Sequence, residues 1–366
     1  MPVKNIFLYK KWLLPFSWIY GIGVNFRNRL FDWGILKSES FPLPVICVGN
    51  LTVGGTGKTP HTEYIVNLLR SRHQRVAILS RGYKRKTKGY ILADDRHTSR
   101  DIGDEPFQMK SKFPDVIVAV DADRRHGIRQ LLALPKDRRP EVIILDDAFQ
   151  HRYVHPSLSI VLNHYNEPIY DDDLLPAGRL REPASQINRA DIVIVTKCPG
   201  ELKPIDYRII EDGMHLQAHQ IIFFTSIAYG DLVPLFKEAA PCRLDKGRKK
   251  EEILLVTGIA SPESLISEIQ LYAGQLKTMI YPDHHNFNSS DLKDIHSRFS
   301  RIKAKDKIII VTEKDAARLR SMSKIPADLK KALYYIPIRI RFHNQANFDE
   351  IINKHIAQFN NKSIYE

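Results

Sequence analysis

From Pro42 onward, short apolar runs alternate with longer stretches of mixed character. Pro44-Val45-Ile46-Cys47-Val48 is such a run, and it ends in Gly49-Asn50. Similar runs recur at 76–79, 116–120, 142–145, 158–162 and 192–195, with a helix-like stretch at 61–71. Short, continuous, Val/Ile-rich strands separated by helical stretches predict an α/β fold, with a parallel sheet covered by helices on both faces. Around 221–224 and 232–236 the character changes to extended segments, and the basic stretch 243–250 reads as a solvated loop. Alternation resumes at 253–257, with a helix over 261–273 and strands at 277–281 and 307–312. This predicts a second, smaller α/β unit, with 336–341 as its last strand and a terminal helix over 348–360. The expected division is 1–34, 35–222, 223–250, 251–345 and 346–366: N-terminal segment, larger domain, linker, smaller domain and C-terminal helix or tail.

The N-terminal segment has a different pattern. Its longest charge-free run, from Trp12 to Phe26, is interrupted by Pro15, Gly21 and Gly23. That is shorter than the ~20 apolar residues of a spanning helix, and no small-residue cleavage site follows it. Yet Trp12, Trp18 and Trp33, the only tryptophans of the chain, lie here among Phe7, Tyr9, Phe16, Tyr20, Phe26 and Phe31. Lys4, Lys10, Lys11, Arg27 and Arg29 are interleaved against Asp32 alone. Such a segment suits a helix lying on an anionic membrane surface, or a helix packed on the protein's own core.

A length of 366 residues accommodates two domains with sizeable cores, and 27% charged residues is ordinary for a globular protein. The formal charge of +13 points to a polyanionic partner: nucleic acid, an anionic membrane or a phosphorylated substrate. Cys47, Cys198 and Cys242 lack metal-ligand spacing and read as reduced thiols.

The sharpest local signal is Thr52-Val53-Gly54-Gly55-Thr56-Gly57-Lys58-Thr59, between a predicted strand and a predicted helix. This is the context of a P-loop, in which glycines let backbone N–H groups wrap phosphates at a helix N-terminus. Gly54, Gly55, Thr56 and Gly57 would cradle the nucleotide, Lys58 would reach its β- and γ-phosphates, and Thr59 would ligate magnesium. One position departs from the pattern, because Thr52 stands where the first glycine belongs. Pro60 suits the first helical turn. Val142-Ile143-Ile144-Leu145-Asp146-Asp147 is the partner motif, a buried strand delivering carboxylates to its C-terminal edge. Asp146 or Asp147 would hold the metal. Thr196-Lys197-Cys198-Pro199 lacks the aspartate with which GTPases read guanine, which argues against a GTPase switch.

Taken in order, the motifs resemble one family. They are Gly54-Gly55-Thr56-Gly57-Lys58-Thr59-Pro60, Ser80-Arg81-Gly82-Tyr83, Gly103-Asp104-Glu105-Pro106 and Asp146-Asp147-Ala148-Phe149-Gln150-His151. Leu175-Pro176-Ala177-Gly178-Arg179-Leu180-Arg181-Glu182, Thr196-Lys197 and Asp283-His284 complete the series. Together they resemble the tetraacyldisaccharide 4′-kinase family of lipid A synthesis. The resemblance implies ATP- and Mg2+-dependent phosphorylation of the 4′-hydroxyl of an acylated disaccharide 1-phosphate lipid. It implies a P-loop NTPase-type domain and a smaller Rossmann-like domain joined by a two-stranded linker. It also implies a peripheral or monotopic place on the cytoplasmic face of the inner membrane, docked through the N-terminal helix.

By the same resemblance Asp104 is the base and His284 its partner, while His285 beside it leaves the choice of histidine open. Read alone, Asp104-Glu105-Pro106 is better read as a helix N-cap and first turn. Arg179 and Arg181 are either solvated or hold phosphates, and Arg81, Glu105 and His151 are further substrate candidates. The acidic run Asp171-Asp172-Asp173 reads as a solvated loop. A membrane-recruited nucleotide switch without a small acceptor is the alternative reading. A nucleic-acid-dependent ATPase ranks last, since no nucleic-acid module is recognisable and no nucleic-acid partner is expected.

Overall fold

The apolar runs become strands because a parallel sheet covered on both faces has no solvent side to satisfy. The computed structural model describes residues 6–365 apart from 248–249, 260–261, 284, 321 and 323. Its strands are β1 (Val45–Asn50), β2 (Val76–Ser80), β3 (Ile91–Leu92), β4 (Ile117–Val120), β5 (Val142–Asp146), β6 (Leu158–His164) and β7 (Ile192–Thr196). The chain continues through β8 (Ile221–Tyr229), β9 (Val233–Pro234), β10 (Lys250–Thr257), β11 (Ala273–Ile280), β12 (Lys307–Thr312), β13 (Leu333–Ile336) and β14 (Ile338–Phe342).

Nine strands form one sheet in the order β14-β8-β7-β6-β1-β5-β2-β4-β3. From β8 to β4 the strands pair in parallel, and the short edge strand β3 runs antiparallel to its neighbour. β1 lies at the centre and is buried at all six positions. Alternate residues feed opposite layers: Ile46 and Val48 join one core, Val45 and Cys47 the other. Ligands bind beyond the carboxyl ends of such strands, where the connections diverge.

The second sheet, β11-β10-β12-β13-β9, is parallel apart from its edge strand β9. The chain divides into two compact units, residues 1–227 with 340–366, and residues 228–339. This division differs from the expected one in three places. The segment expected as one strand over 336–341 is interrupted at Pro337, with β13 on one side in the smaller sheet and β14 on the other in the larger. The terminal helix, Gln345–Tyr365, is part of the larger unit's core, where Phe348 and Ile352 are fully buried. Phe348 stacks on Phe342 at 4.2 Å between ring centroids. Part of the expected linker is likewise integral, since β8 is a strand of the large sheet.

The N-terminal helix spans Ile6–Asp32 and includes Pro15. Among the described residues no helix is long and apolar enough to cross a membrane.

Candidate functional site

β1 ends at Asn50, and the chain turns through residues 51–57 into the helix Lys58–Ser71. Gly57 caps that helix at φ +87°, and Gly54 lies at +108°, conformations that a Cβ makes costly. Thr52 takes the place of the missing glycine by pairing antiparallel with Leu180. The pairing extends on both sides: Val53 N donates to the Arg179 carbonyl at 2.8 Å, and Arg181 N to that of Leu51 at 2.7 Å. The loop is therefore braced by residues 179–181.

Inside the loop, Asn50 organises the polar contacts. Its Nδ2 donates to Thr56 Oγ1 at 2.9 Å, and its Oδ1 accepts from Lys58 Nζ at 3.2 Å. Thr196 Oγ1, at the end of β7, donates to the Thr56 carbonyl at 2.9 Å. Lys58 Nζ is also 3.6 Å from Asp147 Oδ1. Burial lowers the lysine's pKa, and the Asp147 charge opposes that shift. Arg181 Nη1 lies 3.2 and 3.3 Å from the two Asp147 oxygens, so Asp147 sits between two cations. Asp147 has φ +48°, a turn conformation that directs the chain away from β5.

Asp146 is the last residue of β5 and is 6% exposed. It accepts a 3.4 Å hydrogen bond from Thr62 Oγ1. Burial, then the Asp147 charge, push its carboxyl up to about 7, and Glu105 adds to the effect. Thr59 is buried in the first turn of the same helix as Thr62. Thr59, Asp146 and Asp147 thus belong to adjoining elements, the glycine-loop helix and the strand paired with β1.

Asp104 is the first residue of the helix Asp104–Lys112 and is exposed, with Gly103 in the capping position. The helix-cap reading of Asp104 therefore falls to Gly103. Arg81 is exposed just beyond β2, and its charge acts on Arg124, a buried arginine to which sequence reasoning gave no role. Arg124 Nη1 donates to the Ala122 carbonyl at 2.9 Å, and Nη2 lies 3.5 Å from the Asp147 carbonyl. Its Nε is buried with no hydrogen-bond partner, and burial lowers its pKa. The ring of His151 is half-buried, its Nε2 lacks a hydrogen bond, and burial and then Arg124 push it down to about 4. His151 is thus neutral near pH 7.

Arg179 is engaged elsewhere. Its Nε donates to Asp172 Oδ2 at 2.7 Å, and Glu167 pairs with the same guanidinium. Within the acidic run Asp171 and Asp173 are exposed as expected, but the Asp172 side chain is only 3% exposed, buried against Arg179. Arg179 fixes the bracing loop, and of the two arginines only Arg181 reaches Asp147.

His284 lies outside the described residues. His285 pairs through Nε2 with Asp291 Oδ2 at 2.8 Å and stacks on Tyr281, which ties it to its own unit.

The N-terminal helix meets this site through polar contacts. Ser17 Oγ donates to the Leu174 carbonyl at 2.8 Å and accepts from Ala177 N at 3.0 Å. Tyr20 OH donates to the Arg181 carbonyl, and Arg27 Nη2 to that of Gln150, both at 2.8 Å. A Cβ on Gly21 would fall 2.7 Å from Leu174, so glycine permits this close approach. On the outer side Trp12, Phe16, Ile19, Ile22, Phe26 and Trp33 are each more than half exposed.

A glycine loop leaving the central strand of a mostly parallel sheet, with a lysine at the helix start and carboxylates at the end of the neighbouring strand β5, marks an α/β protein whose candidate site lies at the carboxyl ends of its strands. Residues 9–357 match the tetraacyldisaccharide-1-P 4′-kinase family, LpxK, and the chain belongs to that family. It is 56% identical over 359 residues to a tetraacyldisaccharide 4′-kinase of Parabacteroides distasonis, covering 97% of each chain. It is 51% identical over 357 residues to that of Bacteroides thetaiotaomicron, covering 95% of this chain and 93% of the relative. A crystal structure of LpxK from Aquifex aeolicus in complex with ATP superposes with a TM-score of 0.71 at 30% identity, covering 95% of this chain and 99% of that one.

Proposed function

We propose that the protein transfers the γ-phosphate of ATP to the 4′-hydroxyl of a tetraacyldisaccharide 1-phosphate, with Mg2+, on the cytoplasmic face of the inner membrane. The observation that carries this reading is the Lys58–Asp147–Arg181 cluster at the mouth of the glycine loop, in a chain of this family. Family membership favours a kinase over a nucleotide switch without an acceptor.

The residues present fit both groups. A Cβ built on Gly54 or Gly55 meets nothing within 4 Å, so the loop borders open space in which its N–H groups can hold phosphates. The Asp146 carboxyl, buried beside Asp147 and pushed up to about 7, fits a site that gains a cation. Thr59, Asp146 and Asp147 would hold the magnesium, an oxygen donor set suited to a hard ion that keeps several waters. When bound, the ion supplies charge neutralisation on the transferring phosphoryl group.

Lys58 and Arg181 orient and stabilise the phosphoryl oxygens. Asp104, at a helix start near the same strand ends, accepts a hydrogen bond from the acceptor hydroxyl and then its proton. Orientation of the nucleophile, rather than its full deprotonation, dominates in a loose transition state. His284 is the proposed partner of Asp104. The exposed aromatic face of the N-terminal helix rests in the headgroup layer while its polar contacts hold the Arg181 and Gln150 loops.

The test is transfer of label from γ-labelled ATP to tetraacyldisaccharide 1-phosphate in detergent micelles with Mg2+. Transfer is expected from the unaltered protein, none from Lys58→Ala, and about 10²–10⁴-fold less from Asp104→Ala. Absence of transfer by a folded, ATP-binding preparation would refute the reading. Undiminished transfer by Asp104→Ala would refute the assigned base alone.

A further inference from the structure

His61 lies one turn into the glycine-loop helix and is 2% exposed, an unusual burial for a histidine with no role in the phosphate-loop motif. Its Nδ1 is 2.7 Å from the carbonyl oxygen of Gly57, and its Nε2 is 3.0 Å from Thr225 Oγ1. A carbonyl oxygen can only accept, so Nδ1 carries the proton. In the neutral ring Nε2 is then an acceptor, and the Thr225 hydroxyl donates to it. The ring edge also packs against Phe342, 6.3 Å between centroids.

The geometry points to His61 as a positioning residue for nucleotide phosphate: by holding the Gly57 carbonyl back along the helix, it keeps the Gly57–Lys58 peptide N–H turned toward the phosphate-binding space. Three observations support it together. Gly57 sits at φ +87°, a conformation that a glycine leaves as readily as it enters, so something else must fix it. The Gly57 carbonyl also accepts from the His61 main-chain N at 3.3 Å, a long bond that leaves the imidazole as its closer partner. The imidazole is itself held, because Thr225 lies on β8 and Phe342 on β14, strands that adjoin at the sheet edge. The neighbouring carbonyl of Thr56 is fixed in the same manner by Thr196 from β7. Two successive carbonyls of the loop are thus tied to side chains from outside it, which presets the following N–H groups.

The inference rests on the reading that this loop holds ATP, and the experiment separates the two. Calorimetric titration of the full chain with a non-hydrolysable ATP analogue and Mg2+ is run on the unaltered protein, His61→Leu, His61→Asn and Thr225→Val. His61→Leu keeps the volume and loses both hydrogen bonds. His61→Asn keeps a donor at the Nδ1 position. Binding of the analogue is expected to weaken roughly tenfold in His61→Leu and no more than about threefold in His61→Asn. Thr225→Val should fall between them. In kinase assays the KM for ATP should rise with kcat and the KM for lipid nearly unchanged, a split that general loosening of the core would not give. Equal weakening in His61→Asn and His61→Leu would overturn the inference, as would His61→Leu binding like the unaltered protein. If His61→Leu fails to fold, Thr225→Val decides, and unchanged nucleotide binding there overturns the proposal. Failure of the unaltered protein to bind the analogue would instead refute the ATP reading itself.

Discussion

Replacing Asp146 by Asn should stabilise the nucleotide-free fold and at the same time disable the proposed metal site. The carboxyl is buried at the end of β5, and burial with the Asp147 charge raises it to about 7. In the unfolded chain it returns to the ordinary aspartate value of 3.8. Between those limits the folded state binds a proton that the unfolded state does not, so folding stability falls as pH rises, by about 1.4 kcal/mol per pH unit. The stabilising contribution is complete below the unfolded value and lost as pH climbs through about 7. Asparagine has nearly the same shape, can still accept from Thr62 and carries no charge to desolvate. The advantage of Asp146→Asn over the unaltered protein should therefore be about 1.5 kcal/mol at pH 5, grow to about 4 kcal/mol at pH 8 and then level off. Urea or thermal melts of metal-free protein in chelator, from pH 5 to 9, measure this directly. A constant difference across that range would mean that Asp146 is already ionised in the empty fold. The electrostatic reasoning, and with it the fit to a cation, would then be wrong.

Three further outcomes follow from the same geometry. Arg181→Ala should lower kcat by roughly 10²-fold in the lipid kinase assay, whereas Arg179→Ala should act mainly on stability, because Arg179 is bound to Asp172 and Glu167. Phe348→Ala should destabilise the larger unit by about 3–5 kcal/mol in denaturant melts, since the ring is fully buried against Phe342; a cost under 1 kcal/mol would contradict the place of the terminal helix in that core. Changing Trp12, Phe16 and Ile19 together to Ser should reduce binding to anionic vesicles by at least about 100-fold in sedimentation, with thermal stability nearly unchanged, because all three are exposed.

How much was legible in the sequence depended on how local each feature is. The glycine loop and the Asp146-Asp147 strand end could be read because each is one continuous segment whose residues act through neighbours in the chain. Most strands could be read for the same reason, since a strand buried on both faces is simply an apolar run. Residues 336–341 misled because the alternation of isoleucine and arginine through Ile338-Arg339-Ile340-Arg341 does not reveal that Pro337, without an N–H, separates strands of two different sheets. Within the acidic run only Asp172 misled, because it is buried only once Arg179 folds onto it. Asn50 and Arg124 stood in view without an assigned role. What each does depends on strand order, which puts β5 beside β1 and brings the loop after β4 near Asp147. His61 carried a faint signal, a histidine among the buried positions of an amphipathic helix, but its partner Thr225 is 164 residues away.

Charge in the site is arranged ahead of any ligand. Lys58 and Arg181 both contact Asp147, and Arg124 is buried close behind it with an unpartnered Nε. Burying cations is costly unless something repays the lost hydration. Here the Asp147 carboxyl serves two of them, while burial raises the pKa of its neighbour Asp146. The cluster therefore gathers positive charge on groups already fixed by Asn50, the 179–181 brace and the backbone of the loop after β4. A polyanion entering the space before Gly54 and Gly55 would meet donors that need little reorganisation, the condition under which electrostatic stabilisation of a transferring phosphoryl group is strongest. Asp146 complements this arrangement: burial and the Asp147 charge raise its pKa, so a cation beside it would favour its charged form.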